Sequence, residues 1–131
     1  MANERGKINN KERSLQVKDY SGLKYGAVTP SDIDGFVEFK GKLIILWELK
    51  LGDTKIPNGQ RWGLERMCDA MEKGGIPSYL LVCRHNVSDT SKDIDVSKSI
   101  VDEVRCNGRW RPSPLDMNMR EMIDLLRKRH L

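Results

Sequence analysis

The sequence predicts an α/β domain built on a small mixed β-sheet flanked by helices, and three observations carry that prediction. Between Ile33 and Leu51 two β-rich runs flank Lys40-Gly41-Lys42, the pattern of an antiparallel hairpin. Leu64, Met67, Cys68 and Met71 then recur at i, i+3, i+4 and i+7, which is one apolar face of a helix. The run "SYLLVCR" from Ser78 to Arg84 completes a strand–helix–strand crossover, whose two strands should lie parallel.

The elements follow in chain order. Residues 1–13 are polar and basic without periodicity, and read as a flexible basic arm or a short helix. Residues 14–30 hold Tyr20-Ser21-Gly22 and Val28-Thr29-Pro30 and read as irregular, turn-rich chain. A strand is expected over Ile33 to Phe39, and a second over Leu43 to Leu51. The near-continuous hydrophobicity of the second places it centrally, covered on both faces. Asn58 is the expected N-cap of a helix over about residues 60–73, which Gly74-Gly75 and Pro77 stop. Residues 86–98 read as a polar surface loop, and Ile100 to Cys106 as an edge strand before an Asn107-Gly108 turn. Ser113-Pro114 marks the start of a closing helix over about residues 115–129, with Leu115, Met119, Met122, Ile123 and Leu126 on one face.

The 131 residues suit one domain over 1–131, and 38% hydrophobic with 32% charged residues describes a chain with a core and a wet surface. No apolar stretch is long enough to span a bilayer, and no leader pattern is visible, so no membrane partner is expected. Cys68, Cys83 and Cys106 are odd in number and without metal-ligand spacing, which predicts free thiols and a cytoplasmic location. The net charge of +4 is uneven. Residues 1–30 and 105–131 are basic, whereas residues 31–104 carry more carboxylates than cations. Such a periphery attracts polyanions, and the inner carboxylates are of the kind that hold a divalent metal.

The most apolar strand ends in Glu48 and Lys50, which share a face with Ile44 and Leu46. If Lys40-Gly41-Lys42 forms a three-residue loop, paired positions place Asp34 directly opposite Glu48 on that face; a two-residue turn would face Asp34 away. Two facing carboxylates repel unless a cation lies between them, and hard oxygen ligands suit Mg²⁺ or Mn²⁺. A metal with a lysine beside it is an apparatus for phosphodiester hydrolysis. The plainer alternative is an Asp34–Lys50 ion pair at a strand end.

Pro30, Asp34 and Glu48-Leu49-Lys50, with the crossover that follows, resemble the signature of the PD-(D/E)xK nuclease superfamily over roughly residues 12–85. Three residues separate Pro30 from Asp34. The resemblance implies a restriction-endonuclease-like core, a metal held by Asp34, Glu48 and the main-chain carbonyl of Leu49, and Lys50 as the catalytic lysine. Holliday-junction resolvases, viral-type replication-repair nucleases and RecB-like nucleases are the similar subfamilies. They imply two further groups: a glutamine on the following helix, here Gln60, and an acidic residue near the N-terminus, here Glu12 before Glu4. Gln60 reads equally as a helix-start residue. Asp32 shares the face of Asp34 and is either an additional acidic ligand or ordinary turn chemistry. His85 and His130 read as bystanders.

Candidate nucleic-acid contacts are Lys11 and Arg13 in the basic arm, with Lys7 and Lys18, and Arg109, Trp110 and Arg111 after the Asn107-Gly108 turn. The indole reads alternatively as a core cover between solvated arginines. The expected function is a metal-dependent deoxyribonuclease acting on DNA in repair or recombination, by analogy in a phage or mobile-element setting, and as a homodimer. A nucleic-acid-binding protein without turnover and a sequence-specific restriction-type endonuclease are the alternatives.

Overall fold

The computed structural model describes residues 11–114 and 116–131, with the side chain of Lys11 outside that set; Glu4 and Lys7 and the expected core residue Leu115 fall outside it too. The chain divides into two compact units, Met1–Ser31 and Asp32–Leu131. In the first, α1 (Lys11–Ser14) is one short turn of helix, a 3₁₀ turn covers Ser21–Leu23, and Tyr25 bridges Val28. That matches the irregular chain expected over residues 14–30.

The second unit is an α/β structure with a five-stranded mixed sheet flanked by helices. Its elements are β1 (Gly35–Glu38), β2 (Ile44–Leu51), α2 (Asn58–Lys73), β3 (Ser78–His85), β4 (Ile100–Cys106), β5 (Arg109–Pro112) and α3 (Met119–His130). The strands lie in the order β1-β2-β3-β4-β5. β2 and β3 run parallel across the α2 crossover, and the other neighbours are antiparallel. Strand alternation divides the core between the two faces. Leu43, Ile45, Tyr79, Leu81, Cys83 and Val101 pack against Met119, Met122 and Leu126 of α3. Leu46 and Leu80 pack against Leu64 and Cys68 of α2 on the other face. Among the described residues no helix is long and apolar enough to cross a membrane.

The hairpin register is the one that the three-residue loop requires. Gly35 pairs with Trp47, Phe36 with Leu46, Val37 with Ile45 and Glu38 with Ile44. Lys40 and Gly41 take positive φ of 49° and 73°, and the Phe39 N–H donates to the Leu43 carbonyl at 2.9 Å. Asn107 and Gly108, at φ 52° and 73°, form the two-residue turn that the sequence announces.

Four expectations are corrected. β4 is not an edge strand, because Arg109–Pro112 pairs with it as β5; Arg109 and Arg111 point one way and Trp110 the other. α3 begins at Met119 rather than residue 115. Its preceding residues are held by β4 instead, through Val101 N–H to Met117 and Met119 N–H to Ser99, and Asn118 closes a capping box with Glu121. The N-cap of α2 is Pro57, whose carbonyl accepts from Arg61, so Asn58 is already helical. Met67 is exposed, since the inward stripe of α2 runs through Gln60, Leu64, Cys68 and Met71.

Candidate active site

The sheet end that carries Glu48 is built by three elements. Continuing the hairpin register by one residue sets Asp34 opposite Glu48, a pair of the closely spaced kind. The Asp34 N–H donates to Glu48 Oε1 at 3.4 Å, and the Leu49 N–H donates to Asp34 Oδ2 at 2.7 Å. From α2, Gln60 Nε2 donates to Glu48 Oε2 at 3.1 Å and to the Asp32 carbonyl at 3.3 Å. Each carboxylate is thus held by a donor from a neighbouring segment, which fixes its direction.

Glu48 is fully buried, while Asp34 is exposed at the mouth of the site. Burial is the chief cause that raises the Glu48 pKa from its ordinary 4.5 to about 7. The Asp34 carboxylate beside it raises it further, and the Asp34 N–H bond and then the Lys50 charge partly offset these. A buried carboxylate facing a second one is an unfavourable arrangement that a divalent cation relieves, and oxygen donors suit Mg²⁺ or Mn²⁺. In a strand a residue's N–H and C=O lie on the same edge, so the Leu49 carbonyl is directed toward the side of Asp34. The donor set therefore fits a hard divalent ion.

Lys50 shares the face of Glu48 and is half-buried beside Arg84, its register partner on β3. Asp32 enters through its main-chain carbonyl, and its carboxylate is exposed. The structure thus brings Asp34, Glu48, Leu49, Lys50 and Gln60 together. Glu12 and Arg13 belong to α1 of the N-terminal unit.

Arg109, Trp110 and Arg111 stand elsewhere. They lie on β5, at the edge opposite β1, and Arg109 and Arg111 face away from the side that carries Glu48. Trp110 is turned inward: its Nε1 donates to Glu65 Oε2 at 2.5 Å, and the Arg61 guanidinium lies 4.3 Å from its ring centroid. Around it Arg105 binds Asp69 through two hydrogen bonds of 3.1 and 2.8 Å, and Arg61 pairs with Glu103 at 2.9 Å.

A second group of ligand atoms escapes a reading by spacing along the sequence. Cys68, Asp69 and Glu72 bring Sγ and carboxylate oxygens within 4.8 Å of one another. Asp69 is occupied by Arg105, and Glu72 accepts the Asn107 N–H at 2.9 and 3.1 Å. Burial pushes the Cys68 thiol up to about 12. Asp69 and Glu72 thus bind α2 to the β4–β5 hairpin. All three cysteines are free. His130 Nε2 lies 2.6 Å from the Tyr79 hydroxyl, which ties the end of α3 to the sheet.

Comparison with family models, with curated proteins and with solved structures returned no match.

Proposed function

We propose that this chain is a Mg²⁺- or Mn²⁺-dependent deoxyribonuclease with the restriction-endonuclease-like core of the PD-(D/E)xK superfamily. The observation that carries the reading is the Asp34–Glu48 pair across the hairpin, joined on one face by Lys50 and held by Gln60. A strand end offers no packing reason to bury Glu48 opposite a second carboxylate.

In this reading Asp34, Glu48 and the Leu49 carbonyl hold the ion. When bound, it supplies Lewis acidity toward the scissile phosphate and a more acidic water. The Leu49 N–H keeps Asp34 oriented, and Gln60 does the same for Glu48. Lys50, fixed by its central strand, places a positive charge where negative charge builds on the phosphoryl group.

The test is cleavage of labelled duplex, flapped and four-way-junction DNA in Mg²⁺, in Mn²⁺ and in EDTA. Metal-dependent cutting is expected, and Lys50→Ala should lower kcat by about 10²–10³-fold while Mn²⁺ binding persists. A wild-type chain that cuts none of these substrates, and binds DNA equally well with Lys50→Ala, would sink the nuclease reading in favour of a binding protein. Discrete fragments from plasmid DNA would point to the restriction type.

A further inference from the structure

Arg84 lies directly beside Lys50 in the parallel β2–β3 register and faces the same side of the sheet. Its guanidinium joins two segments through three acceptors. Nε donates to Asp102 Oδ2 on β4 at 3.2 Å, and Nη1 donates to the carbonyls of Gly52, at 3.1 Å, and of Thr54. Those two carbonyls belong to the loop that leaves Lys50 and leads into α2, where Gln60 reaches Glu48. Arg61 and Arg105, on the same face, instead bind carboxylate side chains of β4 and α2.

Two clefts border the loop, one of about 350 Å³ lined by Asp53, Lys55 and Ile56 and one of about 570 Å³ lined by Gly52 and Asp53. Arg84 and Asp102 contribute to the walls of both. Gly52 takes a positive φ of 52°, and its N–H continues the ladder to the His85 carbonyl at 2.9 Å. Beside that ladder bond, Arg84 ties two further carbonyls of this loop to the sheet.

We infer that Arg84 is a positioning residue for the hydrolytic site: it clamps the Gly52–Thr54 loop and so sets where the start of α2, with Gln60, stands relative to the carboxylate pair. This rests on the nuclease reading above. The clamp depends on the forked donor geometry of a guanidinium, which binds two carbonyls and a carboxylate at once, and an ammonium cannot reproduce that fork. A positioning role and a phosphate-binding role therefore separate by substitution. A charge that grips the substrate survives in Arg84→Lys; a fork does not.

The experiment compares wild type, Arg84→Lys, Arg84→Gln and Asp102→Asn in the Mn²⁺-dependent cleavage assay. Hydrogen exchange of residues 51–60 and calorimetric Mn²⁺ binding accompany it. Both Arg84 variants should lower kcat by about 10–100-fold, the scale of an ångström of misplacement, with KM and Mn²⁺ affinity little changed. Exchange across 51–60 should rise in both. Asp102→Asn, which leaves the carbonyl bonds intact, should cost under about 5-fold, the most an exposed ion pair supplies. An active wild type whose kcat is unchanged in Arg84→Gln overturns the inference alone, as does an Arg84→Lys that restores full kcat. A raised KM at unchanged kcat also overturns it, by assigning Arg84 to substrate binding. An inert wild type overturns the nuclease reading and the inference with it.

Discussion

Replacing Glu48 by Gln should make the metal-free protein more stable at pH 8 and much less so at pH 5. Glu48 is fully buried, and its pKa stands at about 7 against an ordinary 4.5. A group whose folded-state pKa is raised contributes stability that is complete below 4.5 and is lost as pH climbs through 7. The difference of 2.5 units corresponds to about 3 kcal/mol at alkaline pH. Glutamine keeps the shape and an acceptor for the Asp34 N–H but carries no charge. Urea denaturation of both proteins in EDTA at pH 5, 6.5 and 8 measures the effect. The gap should widen toward about 3 kcal/mol in favour of Glu48→Gln, roughly 10 °C in Tm for a chain of this size. Mn²⁺ at about 100 times its Kd should then return about 2.7 kcal/mol to the wild type and almost nothing to the variant. A wild-type-to-variant gap that stays constant from pH 5 to 8 would refute the argument from burial.

Two further predictions concern the residues around that pair. Gln60→Ala removes the Nε2 donor from Glu48 Oε2 and should cost about 1–3 kcal/mol at pH 8, where the carboxylate is ionised. The cost should shrink at pH 5, and paired denaturation curves read the difference. Gly35→Ala would drive a Cβ into the Trp47 indole beside Asp34, and should destabilise by about 1–3 kcal/mol as an overpacked site does. A Gly35→Ala protein as stable as wild type would show that the indole yields freely.

The site was more legible in the sequence than its surroundings, and the reason is locality. The Asp34–Glu48 register follows from a single short loop, since one residue of slip would turn every side chain of the strand to the other face. Gln60 follows from the helical period that also sets Leu64, although that period alone suggested Met67 as an inward residue. What escaped depends on partners far away in the chain. The start of α3 is set by hydrogen bonds that the Met117 carbonyl accepts from Val101 and the Met119 N–H donates to Ser99, which no local propensity records. β5 was hidden because arginines on its open face masked the alternation around Trp110. Arg105 meets Asp69 across 36 residues, and Arg84 meets Gly52 across 32.

The α2 helix links the two sheet edges mechanically. Its first turn supplies Gln60 to Glu48, while Glu65, Asp69 and Glu72 along its length are fastened to Trp110, Arg105 and Asn107 of the β4–β5 hairpin. The helix that carries Gln60 is thus held at both ends, by the loop before it and by the hairpin beyond it. Substitutions in that hairpin would therefore be expected to reach the Gln60–Glu48 bond through the helix, without touching the carboxylates.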